Sequence, residues 1–97
     1  MSAFLIVHAT VKDPEKWQAY TQSAPATVAA HGGEFAFRGK VANVIHGEHA
    51  HQNAVVIKFP DQEAVQRWYN SPDYQALIPN RDEAADMVFV SLDEPPA

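Results

Sequence analysis

The chain has 97 residues, and its 7 Lys and Arg stand against 12 Asp and Glu for a formal charge of −5, with the cations scattered singly. We therefore expect no nucleic acid and no membrane partner, because both are bound by clustered positive charge. The sequence contains no Cys, which excludes disulfides and thiolate chemistry. A single domain of this size has little core to spare, so a partner subunit would add stability.

The first segment, MSAFLIVHATVKD, predicts a strand. Apolar and β-branched residues run from Ala3 to Val11 until Asp13-Pro14 stops them. The segment lacks the basic start and cleavage site of a signal peptide, and its apolar run is too short to span a bilayer. We therefore expect a soluble, cytoplasmic protein.

The next segment predicts a helix with marked ends. Asp13 caps it and Pro14 takes its first position, where no amide hydrogen is needed. Pro25 predicts a kink or break just before it. Gly32 ends the helix, because glycine readily adopts the left-handed conformation found there.

Two strands are predicted next, Glu34 to Ile45 and Asn53 to Phe59, joined by the polar connection HGEHAHQ. Pro60-Asp61 then opens a second helix with an apolar face. Ser71-Pro72 caps a third, short helical turn.

The remaining segment predicts a helix start and a last strand. Asn80 lies three residues before Glu83, a spacing that resembles a capping box. Residues 85–92 form the last strand, so residues 1–93 are one domain and 94–97 a disordered tail. The order strand, helix, strand, strand, helix, strand predicts an α+β, ferredoxin-like βαββαβ fold: a four-stranded antiparallel sheet with helices on one face.

The strands are apolar on both sides of the pleat. In AFLIVHA, AVVIKF and MVFVSL both alternating sets are largely apolar, whereas a sheet open to water should alternate apolar with polar residues. Helices can cover only one face of the sheet. We therefore predict a homodimer whose sheets pack face to face.

Three motifs carry a resemblance to a known family. AAHGGEF with Arg38 after it, VVIKFPDQEAVQRWYNSPDYQAL, and Arg81 before an Ala-rich strand entry resemble the domain of unknown function 1330 family. The resemblance runs from about Leu5 to Leu92. It implies a ferredoxin-like subunit that pairs into a dimeric α/β barrel. It also implies kinship with cofactor-free monooxygenases, small-molecule isomerases and haem-dependent enzymes, which does not assign a reaction.

Arg38 and His8 are the first two site candidates. Arg38 is expected on the opposite side of its strand from Phe35 and Phe37, where its guanidinium would need a carboxylate or an anionic ligand as partner. His8 shares a face with Phe4 and is either a satisfied core residue or a pocket group that moves protons near neutral pH.

Tyr69, Tyr74 and Arg81 are candidates for substrate binding. The tyrosines sit at core-facing helical spacings, and either hydroxyl could reach a cavity. Arg81 could reach the same region, or form a surface ion pair with Asp82, Glu83 or Asp86.

The motif HGEHAH offers His46, Glu48, His49 and His51 as potential ligands of zinc, nickel or copper. An ordered site needs fixed geometry as well as ligands, so we expect solvated loop histidines and no metal site. The sequence contains no P-loop, dinucleotide fingerprint, HExxH or G-x-S-x-G motif.

These residues leave three functions open. The first is a cofactor-free enzyme, monooxygenase- or isomerase-like, with a small-molecule pocket for a small organic acid or aromatic metabolite. Arg38 would hold the anion, His8 would move a proton, and Tyr69 or Tyr74 would orient the substrate. The second is a binding module that uses the same pocket without chemistry.

The third function is a structural dimer with no ligand. It predicts a barrel filled by side chains, with Arg38 paired to Glu34 or Glu48.

Overall fold

The computed structural model describes residues 2–95, which form eight helices and strands. In chain order these are β1 (Ala3–Val11), α1 (Pro14–Ala30), β2 (Glu34–Lys40), β3 (Asn53–Phe59), α2 (Gln62–Tyr69), α3 (Pro72–Gln75), α4 (Ile78–Ala84) and β4 (Ala85–Asp93). The four strands form one antiparallel sheet in the order β2-β3-β1-β4. The predicted ferredoxin-like fold is confirmed. No helix within residues 2–95 is long and apolar enough to cross a membrane.

Helix α1 begins as predicted and then runs through Pro25 without a break. The Asp13 carboxylate accepts hydrogen bonds from the amides of Glu15 and Lys16, at 3.1 and 3.3 Å. The predicted break is wrong because buried residues on both sides of Pro25 hold the two halves of the helix against the sheet, and such packing outweighs one missing backbone bond. The predicted left-handed Gly32 is confirmed by its φ of +80°.

The predicted second strand is too long, because β2 ends at Lys40 and not at Ile45. Residues 41–52, here called the connection, have no regular structure. The amide of Val41 donates to the Gln52 carbonyl over 2.7 Å and closes the hairpin. Strand β2 also carries an irregularity between Phe35 and Phe37, where its register against β3 shifts by one residue. Such a bulge reverses the facing of every later residue in the strand.

Helix α3 is capped as predicted, whereas helix α4 begins earlier than predicted. The Ser71 hydroxyl accepts from the Tyr74 amide at 3.2 Å, which confirms the predicted cap of α3. Helix α4 starts at Ile78, so Asn80 lies inside it and no capping box forms. Its side-chain amide instead donates to the Lys16 carbonyl over 3.0 Å and ties α4 to α1. A side chain committed to another helix is not free to cap its own.

One face of the sheet carries the core. Along β1, Ala3, Leu5, Val7 and Ala9 are buried while the intervening residues are only partly buried. This face, here called the helix face, packs against the helices around Trp68. The Trp68 side chain is 2% exposed, and its indole N–H donates to the Thr27 hydroxyl over 3.0 Å. The buried aromatic ring and its satisfied N–H together fix the helix layer on the sheet.

The opposite face, here called the open face, is also apolar. The strand registers place on it Phe4, Ile6, His8, Phe37, Val56, Val88, Val90 and Leu92. Phe37 is 65% exposed, and Val88, Val90 and Leu92 are 42 to 45% exposed. The apolar residues predicted on both sides of the strands are therefore present, and one set faces solvent in a single chain.

The predicted disordered tail, residues 94–97, falls partly outside the described residues. The Glu94 amide donates to the Ser2 carbonyl over 2.9 Å and continues the pairing of β4 with β1 by one hydrogen bond. Pro96 and Ala97 lie outside the part of the chain that the structure describes.

Candidate small-molecule site

A cavity of about 410 Å³ lies between the helix face of the sheet and α1. Its walls are mainly apolar and aromatic. They include Val7, Ala9, Trp17, Ala24, Phe35, Val55, Ile57, Trp68, Met87 and Phe89. The residues that could orient a ligand are Tyr20, Thr21, Arg38, Lys40 and Asn53. An apolar body of this size with a few polar groups is typical of a small-molecule site.

Arg38 reaches this cavity because of the bulge in β2. The register pairs Arg38 with Val55 and Phe35 with Ile57, so both side chains lie on the helix face, while Phe37 pairs with Val56 on the open face. The predicted placement opposite Phe37 is therefore right, but that opposite Phe35 is wrong. The guanidinium carbon of Arg38 lies 4.9 Å from the centre of the Phe35 ring.

Lys40 lines the cavity beside Arg38, two residues further along the same strand. Both side chains belong to exposed residues. Among residues 2–95, no carboxylate oxygen lies within 4.0 Å of either cation. The expected pairing of Arg38 with Glu34 or Glu48 is therefore absent from the described structure. Two cations without a carboxylate partner stand beside an apolar cavity.

Tyr20 forms the wall that faces α3 and α4. Its hydroxyl lies 2.7 Å from the Tyr74 hydroxyl, and Arg81 Nη1 donates to the hydroxyls of Tyr74 and Tyr69, each over 3.2 Å. We call Tyr20, Tyr69, Tyr74 and Arg81 the tyrosine–arginine network. The Arg81 guanidinium also donates to Asp82 Oδ1 over 3.0 Å, so its predicted ion pair forms.

Burial controls the protonation of this network. Burial raises the pKa of Tyr20, and the neighbouring Tyr74 hydroxyl adds to the effect. Burial also raises the pKa of Tyr74, although the hydrogen bonds to Tyr20 and Arg81 act to lower it. Burial disfavours the charged Arg81, but hydrogen bonds to Tyr69 and Tyr74 outweigh it and raise the pKa of the guanidinium. Tyr20 and Tyr74 are therefore neutral at physiological pH and Arg81 is charged.

Three predicted site residues stand behind the cavity wall. Tyr74 is fully buried, and neither it nor Tyr69 nor Arg81 lines the cavity of about 410 Å³. Tyr20 lies between them and the cavity. The network therefore holds the Tyr20 side chain in place, and Tyr69, Tyr74 and Arg81 would contact a ligand in this cavity only if the wall opened.

The structure separates His8 from Arg38. His8 lies on the open face, paired with Ala54 and Val88, while Arg38 lies on the helix face. The expected arrangement in which both residues contact one substrate is therefore wrong for a single chain. Strand alternation is the reason, since His8 follows the open-face residues Phe4 and Ile6 at a spacing of two.

The described cavity wall contains no His, Asp, Glu or Ser. Burial raises the pKa of the Tyr20 hydroxyl in this wall and keeps its proton in place. Proton transfer needs a group that changes protonation near the working pH. The arrangement is therefore better suited to holding an anion in an apolar environment than to acid–base chemistry.

The histidines of the connection approach His8 on the open face. The ring centre of His49 lies 4.9 Å from that of His8, and the ring centre of His51 lies 6.3 Å from it. Within residues 2–95, no three His, Asp or Glu side chains are arranged to hold a metal ion.

Sequence reasoning missed Lys40 and Tyr20. Lys40 follows Arg38 by two residues, and that spacing within a strand was a usable signal that both lie on one face. Tyr20 has no comparable local signal. Its place in the cavity wall depends on the packing of α1 against α3, which no local pattern reveals.

Comparison with known proteins agrees with this fold. A family model described as "Domain of unknown function (DUF1330)" matches residues 2–94. A solved protein of unknown function from Rhodopseudomonas palustris is 15% identical with a TM-score of 0.79, over 99% of this chain and 84% of that chain. A dimeric ferredoxin-like protein of unknown function from Thermobifida fusca is 18% identical with a TM-score of 0.66, over 95% of this chain and 90% of that chain.

A third similar structure is SnoaB, a cofactor-independent oxygenase from Streptomyces nogalater. It is 13% identical with a TM-score of 0.68, over 99% of this chain and 95% of that chain. No protein with a curated description matches the chain. At these identities the solved structures establish a common fold and leave the function to the site.

Proposed function

The chain belongs to the family of domain of unknown function 1330, and we propose from its own cavity that it binds a small organic anion with an apolar, preferably aromatic, body. The observation that carries this proposal is the pairing of an apolar cavity of about 410 Å³ with two cations, Arg38 and Lys40, that have no carboxylate partner in residues 2–95. The cavity supplies the contact area, and the cations select the charge.

The walls favour a flat or branched apolar body. Trp17, Phe35, Trp68 and Phe89 contribute aromatic surface, and their positions on both the sheet and the helices enclose the body from two sides. Aromatic rings in such a setting gain from edge-to-face and offset contacts beyond the area they bury. The cavity volume lies within the range of about 300 to 1,000 Å³ that small-molecule sites occupy.

The cations favour a carboxylate or a similar planar anion. The Arg38 guanidinium can donate two parallel hydrogen bonds to a carboxylate, and Lys40 adds a point charge beside it. The chain as a whole has a formal charge of −5. A local pair of cations in an acidic protein is therefore a distinct positive feature that directs an anion to this edge of the sheet.

A homodimer is the second part of the proposal. The open face carries Phe37, Val88, Val90 and Leu92, all at least 42% exposed, and the Thermobifida fusca relative is described as dimeric. Packing two sheets through their open faces would bury these side chains. The cavity lies on the other side of the sheet, so each subunit would keep its own binding site.

Cofactor-free enzymatic activity is a second candidate function. It is supported by the fold shared with SnoaB, which is described as a cofactor-independent oxygenase. Because the described cavity wall contains no His, Asp or Glu to act as a base, an oxygenation here would depend on a substrate that loses its own proton readily. Oxygen consumption by a bound acid separates this candidate from simple binding, since a binding module returns the ligand unchanged.

Matched acids and amides test the proposed anion binding. Benzoate, phenylacetate, 2-naphthoate and hexanoate are titrated against their primary amides by saturation-transfer NMR at pH 7.5 and low salt. We expect the best acid to bind at least about tenfold more tightly than its amide, because a hydrogen bond to a charged group contributes about 1.5–3 kcal/mol. Equal affinities of acid and amide, or no binding by any compound, would contradict the proposal.

A further inference from the structure

Three imidazole rings converge at one end of the open face. His8 comes from β1, and His49 and His51 come from the connection. The ring centres are 4.9 Å apart for His8 and His49, 6.3 Å for His8 and His51, and 6.1 Å for His49 and His51. We call these residues the histidine cluster. Neither the proposed anion site nor its cations involve it.

The histidine cluster adjoins the surface that the proposed dimer would bury. His8 pairs across the strands with Ala54 and Val88, and the next row along the open face consists of Ile6, Val56 and Val90. The sheets cannot pack face to face without bringing this end of the face close to the second copy. The charge of the cluster therefore matters for assembly.

His8 is poorly placed to carry a proton. Its Nδ1 atom is buried and has no hydrogen-bond partner among the described residues. Protonation of the imidazole would put an N–H donor at both ring nitrogens, so one donor would be buried with nothing to accept its hydrogen bond. His51 Nδ1, in contrast, lies 3.1 Å from the Thr10 hydroxyl.

The surroundings of His8 offer no free carboxylate on the neighbouring strands. On β3 it faces Ala54, and on β4 it faces Val88. Asp86 stands opposite Thr10 at the end of β4 and pairs with Lys12 at 3.3 Å. The connection carries two further titratable groups close in sequence to His49 and His51, namely His46 and Glu48. The connection forms no ion pair within residues 2–95.

We propose that the histidine cluster makes dimerisation of this chain pH-dependent: the neutral cluster accepts a second copy against the open face, and the protonated cluster opposes it. This inference rests on the face-to-face dimer proposed above. Its occupant is a second copy of the chain because the cluster is continuous with the apolar rows of the open face, and the similar Thermobifida fusca protein is described as dimeric. If the cluster were protonated in the dimer, up to three positive charges per subunit would be buried or brought together in the interface.

The single chain already disfavours the protonated form of His8. Burial lowers the pKa of His8, and repulsion from His49 and His51 lowers it further. A second copy over the open face would bury His8 further, so the dimer would bind fewer protons than the free chain. The pKa of His8 lies below the ordinary histidine value of about 6.5, so dissociation is coupled to proton uptake at His8 as pH falls below that value, and the dissociation constant of the dimer rises. Above about pH 7.5 it should be constant.

Sedimentation velocity at pH 7.5, 6.5 and 5.5, at one ionic strength, tests this inference. We expect the dimer dissociation constant to rise at least about tenfold between pH 7.5 and 5.5, which corresponds to one linked proton over one pH unit below 6.5. His8→Gln should remove most of that dependence. His31→Gln, which removes a histidine at the end of α1 away from the open face, should retain it.

A second variant keeps the test valid if His8→Gln disturbs β1. His49→Gln with His51→Gln leaves every residue of β1 in place and should also flatten the pH dependence. A wild-type dimer whose dissociation constant is the same at all three pH values would overturn the pH dependence and leave the face-to-face dimer standing. The same dependence in wild type and in both cluster variants would do so too. A wild-type monomer at pH 7.5 would overturn the face-to-face dimer itself.

Discussion

Replacement of both Arg38 and Lys40 by Gln will weaken binding of the tightest acid from the matched panel at least about 100-fold. Each cation contributes a charge-assisted hydrogen bond of about 1.5–3 kcal/mol, and 100-fold corresponds to about 2.7 kcal/mol in total. The estimate stays below the sum of two full bonds because the contributions of neighbouring residues are not additive. Binding of the corresponding amide should change little, because it carries no charge for the cations to recognise.

A matched variant controls for the loss of two positive charges. Lys12 and Arg67 form surface ion pairs with Asp86 and Glu63, at 3.3 and 3.6 Å, and lie outside the cavity wall. Replacing both by Gln changes the net charge equally and should leave acid affinity within about threefold of wild type, since surface pairs contribute little. Isothermal titration calorimetry measures both variants. Equal losses in the two would show that net charge, and not the cavity, controls binding.

Val90→Asp should convert the dimer into a monomer. Val90 lies in the middle of the open face beside Ile6 and is 42% exposed in the single chain. In a two-fold dimer the change enters the interface twice, and each unpaired carboxylate would lose several kcal/mol of solvation on burial. We expect the dimer dissociation constant measured by sedimentation to rise at least about 100-fold.

The same substitution should leave the subunit folded. Because Val90 is half exposed before assembly, a carboxylate at this position remains hydrated in the free chain. Circular dichroism should therefore show unchanged secondary structure. Gln18→Asp, which adds the same charge on an exposed residue of α1, should leave the dimer intact. A Val90→Asp dimer as tight as wild type would place the interface elsewhere.

Local patterns predicted the elements of this fold well. Caps such as Asp13 and Ser71 act within three residues of their own position, so the sequence around them contains the interaction. The apolar residues on both sides of the strands likewise followed from alternation. The end of β2 was less predictable, because residues 41–45 have strand-like composition but no neighbouring strand to pair with.

The candidate site was only partly predictable. Arg38 was identified, but one additional residue in β2 decided which face it occupies, and a bulge has no reliable local signature. Tyr69, Tyr74 and Arg81 do come together, as an aromatic and charged cluster, yet their link to Tyr20, through the Tyr74 hydroxyl, spans 54 residues of sequence. The approach of His49 to His8 is equally long-range. Contacts of this kind depend on how the elements pack.

A crystal structure of the protein with 4-bromobenzoate tests the central claim most directly, because the anomalous signal of bromine locates the ring without ambiguity. The account predicts bromine inside the cavity between α1 and the sheet, near Trp17 and Phe35, with the carboxylate within hydrogen-bonding distance of Arg38 and Lys40. A cavity closed by side chains, or a carboxylate bound elsewhere with both cations unengaged, would contradict it.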